Sequence, residues 1–268
     1  MDTEQYYLFS WNVERYTPKV HNWLKKFLEK NKPDVVFLSE TKRSKEVLEK
    51  FFLEFENYSF VTNPHNPTHY HGVAFLIKKT RFFVEIETKM DILPRYDTKD
   101  ISASKGRVIS LFFENKYNLV GTYVPNSGKD INDVKFDYRI NTWDEGLQKW
   151  LNECNKNNPT VWIGDINVCT MDLDISNPEY MSKFAGFFNE ERISLLNFLS
   201  TEWFDIWRYQ HLEERLYSWR GKKGDNTKYG MRLDNIIVSK SLILKVVDTF
   251  MINDCPLSDH VPICAIIK

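Results

Sequence analysis

Polar side chains able to bind a metal ion or transfer a proton recur where short apolar segments of this sequence end. They lie at five such boundaries and are Asn12, Glu14, Glu40, Asp165, Asn167, Asp234, Asp259 and His260. One carboxylate at the end of a strand is usually a solvated cap, but repetition at five boundaries is harder to explain in that way. Because the ends of strands and the adjoining loops share a rim in an open sheet, these groups are expected to converge.

The chemistry of such a cluster follows from its charge. Crowded carboxylates repel one another, so the cluster requires protons or a bound cation. Oxygen ligands without cysteine favour Mg²⁺, with Mn²⁺ as the alternative, over zinc. One or two carboxylates, water and a substrate phosphate commonly hold Mg²⁺ where phosphate esters are hydrolysed. The pattern therefore predicts metal-assisted phosphoester chemistry.

Eight short apolar segments, rich in β-branched and aromatic residues, predict the buried strands that would position these groups. They cover residues 6–13, 34–39, 72–78, 107–113, 117–124, 160–166, 234–239 and 261–267. Turn-forming residues bound most of them, and most connections between them are short. Strands outnumber predicted helices, which favours an α/β sandwich with mixed sheets and with helices on the outside.

Three stretches between these segments have helical spacing. Thr17 followed by Pro18 is typical of an N-cap and a first helical residue, so a helix is predicted there. The apolar stripe of the second is Phe136, Ile140, Trp143, Leu147 and Trp150. The third is predicted to begin at Asn189, and its inward residues are expected to be Ile193, Leu196 and Leu199.

Composition excludes several classes of protein. Of 268 residues, 42% are apolar, and 36 basic residues nearly cancel 37 acidic ones, which excludes a histone-like polycation. Four cysteines without CxxC spacing argue against a zinc ribbon or a disulfide framework. The acidic N-terminus is unlike a signal peptide, and no apolar run approaches the ~18 residues of a membrane helix. We expect one domain over residues 1–268 in an intracellular protein, cytoplasmic or nuclear and not secreted.

Motifs along nearly the whole chain resemble the exonuclease III type of apurinic/apyrimidinic (AP) endonuclease, within the endonuclease/exonuclease/phosphatase superfamily. They are SWNV (10–13), PDVVFLSETK (33–42), HGVAFL (71–76), GRVI (106–109), YVPNSG (123–128), DYRINTWD (137–144), GDINV (164–168), AGFFNEER (185–192), RLDNIIVS (232–239) and SDHVPI (258–263). GDxN and SDH occur across the superfamily, whereas YVPNSG, AGFxxxER and RLD in this order are specific to the AP-endonuclease branch. The resemblance implies a four-layer α/β sandwich, with two mixed β-sheets packed face to face and flanked by helices.

The resemblance also implies a metal shell around Glu40. Glu40 would be the main ligand, with Asp259 and Glu14 close by. Asn12 would position Asp165 and the metal shell, to which Asp165 and Asn167 also belong. The family usually has Asn-Gly or Asp-Gly where this chain has Glu14-Arg15, so the carboxylate at position 14 is one methylene longer than the family's Asp.

Further roles concern the phosphate and the attacking water. Asp165 would orient or deprotonate the water, and Asn167 would hold the phosphate in the transition state. His260, oriented by Asp234, would bond a phosphate oxygen, although a purely structural pair is the alternative. Tyr123 would contact the scissile phosphate.

Contacts with DNA are assigned in the same way. Asn126 would contact the DNA backbone, and Lys129, which replaces an Arg or Gly, can reach a phosphate as a point charge. Trp219, Met231 and Leu233 would form an apolar slot for the flipped abasic sugar, unless Trp219 is ordinary core. Basic residues that include Lys222 and Arg232 cluster in segments 19–32, 42–45 and 215–232. Such runs are usually solvated faces, but two of these flank the expected active site, which favours DNA contact.

The sequence therefore predicts a Mg²⁺-dependent DNA-repair nuclease. It would hydrolyse the backbone 5′ to an abasic site, and the resemblance adds 3′-phosphodiesterase and 3′→5′ exonuclease activity. The expected partner is double-stranded DNA with abasic sites or blocked 3′ ends. The protein is expected to act as a monomer and to have no membrane partner. Two alternatives stay open: a general phosphodiesterase of the superfamily, or a catalytically weak DNA-binding relative. The complete set of catalytic residue types argues against the second alternative.

Overall fold

The computed structural model describes residues 5–80, 86–91, 105–113, 117–221 and 229–268. Its first six-stranded sheet has the spatial order β13 (Val246–Met251), β14 (Ile263–Ile267), β1 (Tyr6–Asn12), β2 (Val35–Ser39), β4 (Val73–Lys78) and β3 (Tyr58–Asn63). The second has the order β5 (Glu87–Met90), β6 (Val108–Phe112), β7 (Asn118–Tyr123), β8 (Thr160–Asp165), β12 (Asp234–Ser239) and β9 (Trp203–Asp205). A short hairpin joins β10 (Trp219–Arg220) to β11 (Gly230–Met231).

Both large sheets are mixed. The pairs β1–β2 and β7–β8 are parallel, whereas the other described pairs are antiparallel. The helices are α1 (Pro18–Asn31), α2 (Lys45–Phe52), α3 (Val134–Tyr138), α4 (Glu145–Asn157), α5 (Pro178–Met181), α6 (Asn189–Leu199) and α7 (Ile206–Gln210). One π-helical turn, Arg139–Asp144, connects α3 to α4. No helix in the described ranges has the length and apolarity needed to cross a bilayer.

Side chains from both faces of each sheet show why the layers stack as they do. In β2, Val35 and Phe37 face the other sheet, while Val36 and Leu38 pack under α1 and α2. In the second sheet, Trp162 similarly packs under α4 and α6. Because strands buried on both faces consist of nearly continuous apolar runs, these segments were readable in the sequence. The predicted four-layer α/β sandwich is confirmed.

The two sheets approach closely where glycines of the second sheet face Phe37. A Cβ on Gly121 would lie 2.3 Å from Phe37 Cε2, and one on Gly164 would lie 2.8 Å from Phe37 Cε1. At Gly164, φ is +138°, a conformation that side-chain-bearing residues rarely adopt. The close approach places the end of β8, with Asp165, directly beside the first sheet.

The predicted helices are present, but of the three residues expected to face inward in the third helix only Leu199 packs against the core, where it is partly buried. The Thr17 side chain accepts from the Val20 N–H at 3.3 Å and caps α1 as predicted. In α6, however, Ile193 and Leu196 are exposed, and the residues that turn inward are Glu191, Leu195 and Phe198. A buried carboxylate sets this rotation, because Glu191 Oε2 accepts from the backbone N–H groups of residues 186 and 188 at 2.8 and 3.0 Å.

Candidate active site

The predicted polar residues meet at one edge of the sandwich. Asn12 ends β1 and Glu40 follows β2, and these strands run parallel with Asn12 opposite Ser39. On the facing sheet, Asp165 ends β8 and pairs in register with Asp234, which begins the antiparallel β12. A cavity of about 530 Å³ opens between the two sheets at this edge. Its lining includes Glu40, Tyr123, Asn126, Asp165, Asn167, Trp219, Met231, Leu233, Asp259 and His260.

Asn12 joins the carboxylates of the two sheets. Its fully buried Nδ2 donates to Glu40 Oε1 and to Asp165 Oδ2, each at 2.9 Å. Its Oδ1 accepts from the Glu14 backbone N–H at 3.0 Å, which fixes the orientation of the amide. A neutral amide therefore holds two carboxylates close together without neutralising either.

His260 and Asp234 form a buried pair. Nδ1 of His260 lies 2.6 Å from Asp234 Oδ2, and Nε2 lies 4.0 Å from Asp165 Oδ2. Burial by itself lowers the pKa of His260, but the Asp234 carboxylate outweighs burial and raises this pKa to about 10. The imidazole is therefore a cation at neutral pH, and its protonated Nε2 lies near Asp165 but beyond hydrogen-bond distance of it.

Asp165 lies among like charges. Burial, followed by the Asp234 and Glu40 carboxylates, raises the pKa of Asp165 to about 7, although His260 opposes the shift. A carboxyl group with a pKa near neutrality exchanges its proton readily under physiological conditions. One ligand atom each from Asp165, Asp234 and His260 lie within 4.8 Å of one another.

The donor set suits a hard divalent cation. Oxygens of Glu40, Asp165 and Asp259 line one cavity, and Asp234 Oδ1 is buried without a hydrogen-bond partner among the described residues. Glu40 Oε2 pairs with the Lys42 ammonium. Burial opposes ionisation of Glu40, but the hydrogen bonds from Lys42 and Asn12 lower its pKa. An ionised carboxylate in a cluster of crowded acidic groups fits Mg²⁺ or Mn²⁺.

An apolar wall lies opposite these polar groups. Trp219 and Met231 pair across the β10–β11 hairpin, and Leu233 follows two residues later. A Cβ on Gly186 would lie 2.9 Å from Met231 Cε, so the AGFF segment packs directly against this wall. Trp219 Nε1 donates to Asp259 Oδ2 at 3.2 Å, which ties the wall to the carboxylate cluster.

The residues of this site, from Asn12 to His260, lie within the part of the chain that a protein-family model matches. The family described as the endonuclease/exonuclease/phosphatase family matches residues 9–260. The chain belongs to this family. A DNA-(apurinic or apyrimidinic site) endonuclease of Dictyostelium discoideum is 32% identical over all of this chain and 72% of its own length. An exodeoxyribonuclease of Bacillus subtilis is 29% identical over 97% of this chain and 99% of its own length.

Solved structures of AP endonucleases share the fold. An AP endonuclease from Leishmania major superimposes with a TM-score of 0.86 at 26% identity, covering 98% of this chain and 88% of that one. An AP endonuclease from Archaeoglobus fulgidus gives a TM-score of 0.83 over 98% of this chain and 99% of its own, at 24% identity, which shows the fold alone. The resemblance drawn from the sequence motifs is thus confirmed.

Two family motifs contain residues for which no role was predicted. In HGVAFL and GRVI, His71 and Arg107 lie beside Tyr123, with the Arg107 guanidinium 4.8 Å from the centre of the Tyr123 ring. Burial and the nearby Arg107 lower the pKa of His71 to about 2, so its neutral Nε2 accepts from Arg107 Nη2 at 3.0 Å. Tyr123 in turn bonds Glu40. These neighbours orient the Tyr123 ring, and only the motifs themselves signalled them.

A third unassigned residue, Arg139 of DYRINTWD, fixes two active-site loops. Its buried guanidinium donates to the backbone oxygens of Pro125 and Ile166 at 3.0 and 3.1 Å, and to Asp144 Oδ1 at 2.6 Å. The Asn167 carbonyl also lies 3.5 Å away. Arg139 therefore clamps the loop after β7 to the loop after β8.

The predicted site residues in the loops differ in whether they line the cavity. Asn167 adopts a left-handed backbone with φ of 51°, and its Nδ2 donates to Val124 O at 2.8 Å. Asn126 is exposed and lines the cavity, whereas Lys129 is exposed and does not line it. Glu14 lines a neighbouring cleft with Arg220 and Asp259 and does not line the cavity that contains Glu40.

The expected basic segment 215–232 is only partly available to DNA. Lys222 lies outside the described residues. Arg232 was expected in a DNA-contacting run, but it is buried and donates to Asp174 Oδ1 at 2.8 Å and Asp205 Oδ2 at 2.7 Å. Burial opposes ionisation of Asp174, but Arg232 and Arg208 hold its pKa at about 2. Arg232 is thus part of the protein's internal charge network.

Proposed function

We propose that this protein is a DNA-repair AP endonuclease that hydrolyses the phosphodiester 5′ to an abasic site. We include 3′-phosphodiesterase and 3′→5′ exonuclease as further activities of the same site. One observation carries the proposal: a phosphate-hydrolysing cluster and an apolar slot share a single cavity. The relative from Dictyostelium discoideum is named for the first activity, and the relative from Bacillus subtilis for exonuclease activity.

The proposed chemistry assigns the proton transfer to Asp165. With a pKa of about 7, its carboxylate accepts a proton from water more readily than an ordinary aspartate. Its orientation is fixed from both sides, because Oδ2 accepts from Asn12 and Oδ1 accepts from the Asn167 backbone N–H at 3.0 Å. The attacking water would therefore meet a base that has little freedom to turn away.

His260 and Asn167 would stabilise the phosphate as negative charge develops on it. The charged His260 Nε2–H is a donor on the same side as Asp165, and Asp234 prevents the imidazole from turning. Preorganised donors of this kind are commonly the largest contribution to catalysis of such reactions. Tyr123 would contact the scissile phosphate from the neighbouring wall, held there by its bond to Glu40.

Glu40 and Asp259 would hold Mg²⁺, for which Mn²⁺ is the alternative. When bound, the ion would polarise the phosphate and neutralise charge on its oxygens. To bind it, Glu40 must share or release the oxygen that pairs with Lys42. We assign no direct ligation to Glu14, because, unlike Asp259, it does not line the cavity that contains Glu40 and Asp165.

The apolar slot supplies the choice of lesion. A base-free sugar offers no base edge to read, so it is recognised by extrusion into a pocket that fits it. Trp219, Met231 and Leu233 offer such a pocket beside the phosphate site, and Lys129 and Asn126 would contact the DNA backbone nearby. We propose that residues 1–268 act as one domain and as a monomer. The substrate would be double-stranded DNA with abasic sites or blocked 3′ ends, inside the cell.

A mapped cleavage reaction tests the function. A labelled duplex with one abasic analogue is incubated with the protein in Mg²⁺ or in EDTA, beside the same duplex with an intact nucleotide. We expect one cut, 5′ to the lesion, that leaves a 3′-hydroxyl and requires Mg²⁺. Asp165→Asn, purified in parallel, excludes a contaminating nuclease. Equal cleavage of a simple phosphodiester and of abasic DNA would instead identify a general phosphodiesterase.

A further inference from the structure

The mouth of the active-site cavity carries a cluster of exposed aromatic rings. Tyr180 and Phe184 are 51% and 43% exposed, and both line the cavity that contains Asp165 and His260. The Tyr180 ring centre lies 5.3 Å from that of Phe184 and 6.1 Å from that of Tyr229. These three residues form the aromatic rim.

Local structure directs the two most exposed rings outward. The Asn177 side chain accepts from the Tyr180 N–H at 3.2 Å and begins α5, and the Phe184 N–H donates to Met181 O at 3.0 Å. Met181 is buried with Phe187, Met231 and Leu233. Because α5 ends at the buried Met181, Phe184 lies in the turn that follows it, and the 5.3 Å between the ring centres shows that Tyr180 and Phe184 lie together on the exposed side.

The aromatic rim exceeds what an abasic sugar requires. That sugar is accommodated by the wall of Trp219, Met231 and Leu233, next to the phosphate-binding groups. The aromatic rim lines the same cavity, and Tyr180 and Phe184 are about half exposed there. Every nucleobase has a π-face, and stacking on aromatic side chains is the general way in which proteins hold unpaired bases.

We propose that the aromatic rim of Tyr180, Phe184 and Tyr229 is a stacking site for the base of an unpaired nucleotide whose phosphate occupies the catalytic cluster. This inference rests on the proposed nuclease function and deepens its 3′→5′ exonuclease part, because it assigns the place where the base of the terminal nucleotide is held. A paired terminal base remains stacked within its own duplex, so the rim favours ends that are already unpaired.

Fluorescence of 2-aminopurine provides the test. The probe is a duplex with 2-aminopurine as a mismatched 3′-terminal base, titrated with the protein in EDTA so that no cleavage occurs. We expect quenching by the natural protein, and binding about tenfold weaker, with quenching lost, in Tyr180→Leu/Phe184→Leu, on the scale of one lost stacking contact. Leucine keeps apolar bulk at both positions, so the change isolates the rings. Tyr180→Phe/Phe184→Tyr should bind and quench like the natural protein.

The matched control is Tyr209→Ala, because Tyr209 is 49% exposed on α7 and lines none of this cavity. It should bind the probe as the natural protein does. If the double leucine variant binds and quenches equally well, the aromatic rim does not stack the base and the inference is overturned. Abasic-site cleavage by the natural protein is measured separately, so its failure would reject the proposed function without being mistaken for failure of the rim.

Discussion

Replacing Asp234 by Asn should move the whole pH–rate profile to lower pH. The Asp234 charge contributes to two raised pKa values: burial together with Asp234 raises the pKa of Asp165 to about 7, and Asp234 outweighs burial in raising that of His260 to about 10. Asparagine has the same shape and can still accept from His260 Nδ1, but it removes the charge. Both pKa values should therefore fall, and the pH range in which His260 is protonated and Asp165 is ionised should move with them.

The magnitude follows from the His260 side of the pair. Without Asp234, its pKa should return toward the ordinary 6.5, because burial then opposes the charge. At about pH 7.5 roughly one-tenth of the imidazole would then be protonated, so the rate should fall about tenfold from lost protonation.

The same His260–Asp234 pair also affects the stability of the fold. Since the folded pKa of His260 is raised, its stabilisation is present below pH 6.5 and is lost as pH rises through about 10.

Single-turnover cleavage of an abasic duplex, with enzyme in excess and Mg²⁺ constant, measures the shift between about pH 5.5 and 9.5. Asp137→Asn, which removes an exposed carboxylate, is the matched control and should leave the profile unchanged. An Asp234→Asn profile with the wild-type limbs, at any overall rate, would refute the assignment of His260 as a phosphate-facing cation.

Three further substitutions probe the metal, the base and the slot. Glu40→Gln should lower activity by orders of magnitude and raise the Mg²⁺ concentration needed for half-maximal rate, and an unchanged Mg²⁺ titration would contradict its role. Asp165→Asn should nearly abolish cleavage while DNA binding, measured by anisotropy, is retained or tighter; near-normal single-turnover rates would require another base. Trp219→Ala should weaken abasic-site cleavage by ~1–3 kcal/mol without changing the Mg²⁺ dependence. Thermal melts must accompany that variant, because Trp219 is partly buried and even a fully buried Trp→Ala change costs at most ~3–5 kcal/mol of stability. Normal lesion preference in a folded variant would locate the slot elsewhere.

The strands that could be predicted from the sequence are those whose two faces are both buried. Every one of the eight apolar segments contains a strand, because a central strand must be apolar on both faces. The strands that the sequence did not reveal include β5 and β13, which lie at sheet edges. Their residues are largely exposed or half-buried, with Glu87–Met90 reading ETKM, so no apolar run marked them.

The position of the polar active-site residues could be predicted for a related reason. Polar residues that directly follow a recognisable strand have a known direction, so Asn12, Glu40 and Asp165 could be assigned to one edge before any coordinates. Long-range pairing gave no such signal. Arg232 looked like a surface charge in a basic run, although its partners lie 58 and 27 residues away in the sequence at Asp174 and Asp205. A charged residue in a sequence does not reveal whether the folded protein places an oppositely charged partner beside it.

Strained backbone conformations and buried hydrogen bonds together explain how the polar active-site residues keep their geometry. Glu40, Lys42 and Asn167 adopt positive φ of 53°, 48° and 51° although none is glycine. Each such residue costs of the order of 1 kcal/mol or more, and it persists only where its surroundings determine it. Asn12 determines the position of Glu40, and Arg139 holds the loops on either side of Asn167. The cost of strain is thus met by contacts deep in the sandwich, which leaves the carboxylates fixed in a crowded arrangement that a bound divalent cation can relieve.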